Sequence, residues 1–306
     1  AIGRVRCFGY CPGATSPLAY VNVKVRKSLA LLYNDNNGGS RVAIPRGRHM
    51  TQEFALETRG LTKEFRGFTA VDDVNLQVQE GHIHALIGPN GAGKTTVFNL
   101  LTKFLPPTRG EILYRGKPIT GMKANEIARL GLVRSFQISA VFGHMTAMEN
   151  VRVALQRPMG TSFHFWKPES SLDHLNDRAI ELLEEVGLRE YADVLTVEMP
   201  YGRKRALEVA TTLAMDPTMM LLDEPTQGMG AEDVDRIVEL VRRVAKGRTV
   251  LMVEHNLSVV SRLCDRITVL ARGSVLAEGD YATVSADPRV KEAYMGSEAA
   301  AEEATA

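Results

Sequence analysis

The chain reads as an α/β fold with a mainly parallel central sheet, a flanking antiparallel β-subdomain and an inserted helical subdomain. Three observations predict it. Short apolar runs over 82–87, 219–222 and 250–253 each end in a glycine-rich or acidic step, as strands covered on both faces do. Between residues 71 and 117, apolar and polar residues alternate around turn signals, notably over 73–79 and 111–114, which predicts antiparallel strands. From about Ala124 to Met199 helical spacing dominates: Ala179, Leu182, Leu183 and Val186 share one face before Gly187.

The first of those runs leads into Gly88, Pro89, Asn90, Gly91, Ala92, Gly93, Lys94, Thr95 and Thr96, a complete G-x-x-x-x-G-K-T phosphate loop, followed by a helical run over 95–101. Glycines at such a turn let successive backbone N–H groups converge on phosphate oxygens, and the dipole of the following helix favours negative charge. Lys94 is expected to reach the β- and γ-phosphates and the Thr95 hydroxyl to ligate Mg²⁺. The core is therefore expected to be of the P-loop NTPase kind, with a nucleoside triphosphate as ligand.

The run 219–222 ends in Asp223 and Glu224, so a buried strand delivers two acids to the carboxyl edge of the sheet, where ligands bind in such folds. Asp223 suits a water-mediated hold on Mg²⁺, and Glu224 can accept a proton from an attacking water. His255 reaches the same edge behind 250–253 and, while neutral, can donate to a γ-phosphate or to the water. Gln137 offers an uncharged amide that can approach Mg²⁺ and the water without adding charge. The segment from Met199 through Pro200, Tyr201, Gly202, Arg203 and Lys204 to Arg205 precedes an amphipathic run over 206–214, which places a second helix amino terminus behind a glycine. The basic triplet 203–205 reads as a solvated face.

This ordered set resembles the ATP-binding cassette (ABC) family of transporter ATPases over about residues 54–296: phosphate loop, Q-loop glutamine Gln137, signature segment, Asp-Glu strand and switch histidine His255. The resemblance implies an ABC nucleotide-binding domain that hydrolyses ATP with Mg²⁺. It implies Glu224, His255 and Gln137 as catalytic residues, and Thr95, Gln137 and Asp223 at the metal. It also implies that a second cassette, head to tail, closes Tyr201 and Gly202 over the nucleotide, and that Phe65, with Phe68 in reserve, stacks on adenine. The signature departs from the usual L-S-G-G-Q, since Pro200, Tyr201 and Arg203 replace serine, glycine and glutamine, and Gly230 stands where the wider family often has Asp or Asn. Those departures, the segments 134–137 and 145–151, and the run 275–296 resemble the branched-chain amino-acid importer branch. Lipopolysaccharide-export ATPases share the scaffold but typically carry Pro before the glutamine, where this chain has Phe136; that argument does not exclude urea and amide importers, which stand as an alternative. The expected partners are permease subunits, a second ATPase subunit and, indirectly, a solute-binding protein, at the cytoplasmic face of the plasma membrane. A nucleotide-gated subunit with weak hydrolysis is the alternative that Pro200 and Gly230 raise.

A net charge of +1 gives no general pull toward nucleic acid, and no apolar run approaches the roughly twenty residues that span a bilayer. Three cysteines, Cys7, Cys11 and Cys264, make no disulfide framework or paired metal spacing, in keeping with a reducing compartment. Residues 1–49 show no steady periodicity and read as an appended or disordered arm, with Met50 as a candidate natural start. Residues 297–306, rich in Ala and Glu, read as a flexible tail.

Overall fold

The computed structural model describes residues 54–135, 141–157 and 169–294. Gln137, Cys7, Cys11, the 1–49 arm and the 297–306 tail lie outside the described residues. Strand β1 (Phe54–Phe65) turns through Arg66 and Gly67 into β2 (Phe68–Val74). Both turn residues have positive φ, 45° and 90°, the two-residue geometry whose twist suits an antiparallel hairpin. β1 precedes the 71–117 stretch in which alternation predicts the antiparallel strands. Its register shifts against both β2 and the later partner strand, and such bulges erase the period of two that would reveal it. The single strand expected over 73–79 is broken: Asp73 sits at φ 50°, and pairing with β1 resumes in β3 (Gln77–Gln79).

β4 (Ile83–Ile87) enters the main sheet and, through the phosphate loop, feeds α1 (Lys94–Leu101). β5 (Arg109–Tyr114) and β6 (Lys117–Pro118) return to the antiparallel sheet, ordered β2-β1-β5-β6 with β3 also on β1. The chain then runs through α2 (Ala124–Arg129), β7 (Leu132–Arg134), α3 (Ala147–Gln156), α4 (Asn176–Glu185) and α5 (Tyr201–Leu213). α3 begins with a reciprocal capping box: Glu149 N–H donates to the Thr146 hydroxyl at 3.2 Å, and Thr146 N–H to the Glu149 carboxylate at 2.7 Å. α4 buries Ala179, Leu182 and Leu183 completely, as its spacing predicts. The helical stretch expected over about 124–199 nevertheless contains β7, which pairs in parallel with β8 (Met219–Asp223); three residues are too few to carry a period.

Beyond β8 the chain alternates α6 (Ala231–Val244), β9 (Thr249–Val253), α7 (Leu257–Leu263) and β10 (Arg266–Ala271). It ends with β11 (Ser274–Gly279), α8 (Tyr281–Ala286) and a helical segment over 288–294. The main sheet is ordered β11-β10-β4-β9-β8-β7, parallel except for the β10–β11 hairpin. Every residue of β4, β8 and β9 is buried, which explains their unbroken apolar runs. Alternate side chains feed two cores. Ile83, Ala85 and Ile87 pack on the side of α3 to α6, while Leu86 joins α1 and the antiparallel strands. No helix among the described residues is long and apolar enough to cross a membrane.

His84 is the polar exception in β4. It is fully buried, and its Nε2 lies 2.8 Å from the Thr268 hydroxyl. Burial, with smaller contributions from Arg266 and His82, lowers its pKa to about 3. Because the folded value lies below the unfolded 6.5, the unfolded chain binds a proton that the native one refuses, and stability falls as pH drops from about 6.5 toward 3. At pH 5 the loss amounts to about 2 kcal/mol, from 1.36 kcal/mol per pH unit. We expect His84→Gln to lose correspondingly less between pH 7 and pH 5 in urea melts; parallel losses in parent and variant would refute this.

Candidate active site

The phosphate loop is held by contacts only glycine permits. Gly88 sits at φ 150°, where a Cβ would lie 2.1 Å from the Leu270 carbonyl oxygen. Gly93, at φ 100°, would meet the Ala70 oxygen at 2.6 Å. The loop is thus wedged between β10 and the antiparallel sheet, and two further bonds seat it: Gly273 N–H to the Ala92 oxygen at 3.1 Å and Asp72 N–H to the Gly273 oxygen at 2.9 Å. Asn90, Gly91 and Thr95 remain exposed, so the loop's rim and the first turn of α1 face solvent. Lys94 is buried and donates to the carbonyl oxygens of Gly88 at 2.6 Å and Pro89 at 3.0 Å. Burial lowers its pKa, and the Glu224 carboxylate pulls it partly back up, which marks Glu224 as a neighbour of the loop.

Sheet order assembles the remaining groups. β9 lies between β4 and β8, so the step after β9 falls between the phosphate loop and the acids of β8. Asp223 ends β8 and is buried. Glu224 follows, part-exposed, at φ 46°, with its N–H donating to the Val253 oxygen at 2.9 Å. A left-handed conformation is unfavourable for a residue with a side chain and persists only where the surroundings enforce it. His255 is exposed at the same edge.

Two contributors escape sequence reasoning. Glu254, between β9 and His255, is wholly buried. It accepts from the Thr226 N–H and hydroxyl at 3.1 and 2.6 Å, and from the N–H groups of His255 and Asn256 at 3.0 and 3.2 Å. Four donors satisfy the carboxylate and tie the histidine's backbone to the loop behind Glu224. Arg134, the last residue of β7, donates to the Asp223 carboxylate at 2.5 Å and to the Asn99 side chain of α1 at 2.7 Å. The only sequence signal for either is position: Arg134 ends β7 and Glu254 directly follows β9, both at the carboxyl edge.

The signature segment differs from expectation. α5 starts at Tyr201 with Pro200 as its N-cap, so Gly202 lies inside the first turn, not ahead of it. The reason is packing: a Cβ on Gly202 would come within 2.9 Å of the Asp233 carboxylate, so α5 and α6 approach closely there. The Tyr201 hydroxyl donates to the Gln227 oxygen at 3.1 Å. The triplet 203–205 is not a solvated face, because Arg205 is buried and paired with buried Glu208 at 2.8 Å. Phe65 and Phe68 face each other across the β1–β2 hairpin, 41% and 67% exposed, and Lys63 Nζ lies 5.1 Å from the Phe65 ring centroid. Phe65 therefore presents an open face rather than filling a core.

The donors suit Mg²⁺. Among the described residues no group of three or more His, Cys, Asp or Glu could hold a metal. The Thr95 hydroxyl and the Asp223 carboxylate are hard oxygens of the kind that would hold Mg²⁺.

Residues 71–227 match the ABC transporter family, and residues 274–300 match the family described as "Branched-chain amino acid ATP-binding cassette transporter". The high-affinity branched-chain amino acid transport ATP-binding protein BraF of Pseudomonas aeruginosa is 39% identical over 248 residues, spanning 79% of this chain and 97% of BraF. LivG of Escherichia coli K12, of the same description, is 38% identical over 251 residues, with 79% and 97% covered. Among solved structures, the ADP conformation of MJ1267, an ATP-binding cassette of an ABC transporter, superposes with a TM-score of 0.71 at 30% identity, covering 80% of this chain and all of that one. Family match, relatives and fold agree with the geometry of the loop and strand ends, and the chain belongs to the ATP-binding cassette family of ABC transporters, in its branched-chain amino-acid branch.

Proposed function

We propose that this chain hydrolyses ATP to drive import of branched-chain or related amino acids. It would sit on the cytoplasmic face of the membrane, bound to permease subunits and paired head to tail with a second cassette. One observation carries the chemistry: the order β4-β9-β8 gathers Lys94, His255 and Glu224 at one sheet edge, with Glu224 close enough to act on Lys94. In this reading the backbone from Gly88 to Thr96 cradles the phosphates, Thr95 and Asp223 hold Mg²⁺ together with Gln137, and Phe65 stacks on adenine. Mg²⁺ would supply charge neutralisation at the phosphates. Glu224 takes the proton of the attacking water, and His255 fixes the γ-phosphate geometry. Tyr201 and Gly202 of the second cassette close the opposite side.

A groove of about 770 Å³ runs between α2, β7, α3 and α5, lined by Phe104, Ile127, Phe142, Val153 and Met215 among others. Its apolar lining beside β7 suits a permease segment, which would anchor a chain whose described helices cannot span the bilayer themselves.

Lys94→Ala is expected to weaken nucleotide binding by about 10- to 100-fold, the scale of hydrogen bonds to a charged group. Titration with a fluorescent ATP analogue checks this, and unchanged affinity would remove Lys94 from the phosphates. The function itself is tested by co-purification from native membranes followed by reconstituted leucine uptake. An export permease as the partner, or uptake that needs no ATP, would overturn it.

A further inference from the structure

Arg134 is spent in an unusual way. Its side chain is 11% exposed, and its guanidinium bridges Asp223 Oδ2 at 2.5 Å and Asn99 Oδ1 at 2.7 Å, thereby joining the ends of β7 and β8 to helix α1. Two aromatic rings flank it, with centroids 5.7 Å away for Phe98 and 5.9 Å for Phe104. Its Nε is buried and has no hydrogen-bond partner among the described residues. A pair placed for stability alone would satisfy that donor, since a buried ion pair offsets its desolvation only when the remaining polar atoms are bonded. The contact instead leaves the second Asp223 oxygen, Oδ1, out of the guanidinium's hold.

We infer that Arg134 is the positioning residue for the metal-site carboxylate: it fixes the rotamer of Asp223 so that one oxygen is turned toward Mg²⁺ water, and it sets that carboxylate at a fixed distance from α1, whose first residues carry Lys94 and Thr95. The inference rests on the reading of Asp223 as a metal-site residue. Partners that orient a metal-site ligand are worth about 10- to 100-fold in metal affinity. The aromatic flanks keep the planar fork from rotating, which a lysine could not reproduce. Arg134 also lines the groove proposed above for a permease segment, so one side chain contacts the groove on one side and the metal-site carboxylate on the other.

The test uses the full chain with ADP and Mn²⁺ as the probe. Mn²⁺ affinity is read by electron paramagnetic resonance, and ADP affinity is measured separately in EDTA. Arg134→Ala is expected to weaken Mn²⁺ binding 10- to 100-fold with little change in metal-free ADP affinity. Arg134→Lys should recover only part of the loss. Asn99→Ala, which leaves the Arg134–Asp223 contact in place and covers the case in which Arg134→Ala fails to fold, should show a smaller loss of the same sign. Asp223→Asn is the control. If it weakens Mn²⁺ while the Arg134 and Asn99 variants do not, the positioning role is overturned; if it leaves Mn²⁺ unchanged, the metal reading of Asp223 falls and this inference with it. Equal losses of Mn²⁺ and metal-free ADP binding would mark Arg134 as merely structural and also overturn it.

Discussion

Glu224→Gln is expected to leave ATP binding near the parent value while lowering steady-state phosphate release by about 10² to 10⁴, the usual worth of a positioned general base. The substitution conserves volume and keeps an acceptor oxygen, but an amide cannot take a proton from water at neutral pH. Structure makes it a clean probe. The backbone at 224 is held by its N–H bond to the Val253 oxygen, and the following loop is held by the Thr226–Glu254 contacts, so neither support depends on the Glu224 carboxylate. Lys94 is a nearby group that would feel the change. Loss of the carboxylate removes the influence that raises the lysine's pKa, yet burial has only to be weighed against an ordinary lysine value far above neutrality. Nucleotide titration and phosphate release on the same preparation decide the matter. Parent-like turnover would assign the base elsewhere, while loss of binding would mean that Glu224 is part of the phosphate cradle.

How much of this was legible depended on how local the cause was. The phosphate loop is read from nine consecutive residues because its geometry is set within the turn itself. Asp223 and His255 are read almost as easily, since one ends and the other closely follows a strand buried on both faces. β1 was hidden by bulges and β7 by its length, and in both cases pairing with distant strands, not a residue pattern, makes the strand. Arg134 and Glu254 were hidden for a related reason. Their meaning lies in partners 89 and 28 residues away, and nothing in the local sequence distinguishes an arginine that bridges Asp223 and α1 from one in solvent. The start of α5 shows the limit at finer scale, since only the approach of Asp233 explains why glycine stands inside the turn.

The Arg205–Glu208 pair on α5 carries the largest expected effect on stability. Both side chains are nearly excluded from water, at 6% and 5% exposure, and stand three residues apart on the same helix. Burial raises the pKa of Glu208 despite the adjacent guanidinium, so the site does not favour the charged carboxylate even with its partner present. Arg205 shows the opposite balance: burial works against its charge, but Glu208 and Tyr201 together outweigh it and the net shift is upward. The Arg205 Nε and Nη2 atoms are buried and have no hydrogen-bond partners among the described residues, although the guanidinium lies 5.6 Å from the Tyr201 ring centroid. A pair so placed adds little net stability while intact and costs much when split. Glu208→Ala, which strands a buried cation, is expected to destabilise the chain by about 3–5 kcal/mol in denaturant unfolding, whereas Arg205→Met combined with Glu208→Leu should recover most of that loss. A Glu208→Ala loss under about 0.5 kcal/mol would place the pair with ordinary surface substitutions and refute the argument. The distinction bears on function, because Glu208 lines the groove and Arg205 packs against Tyr201 of the signature turn. If the double variant restores stability but not ATP turnover in the assembled transporter, the pair serves to couple groove and signature segment; if it restores both, the charges at 205 and 208 are dispensable there.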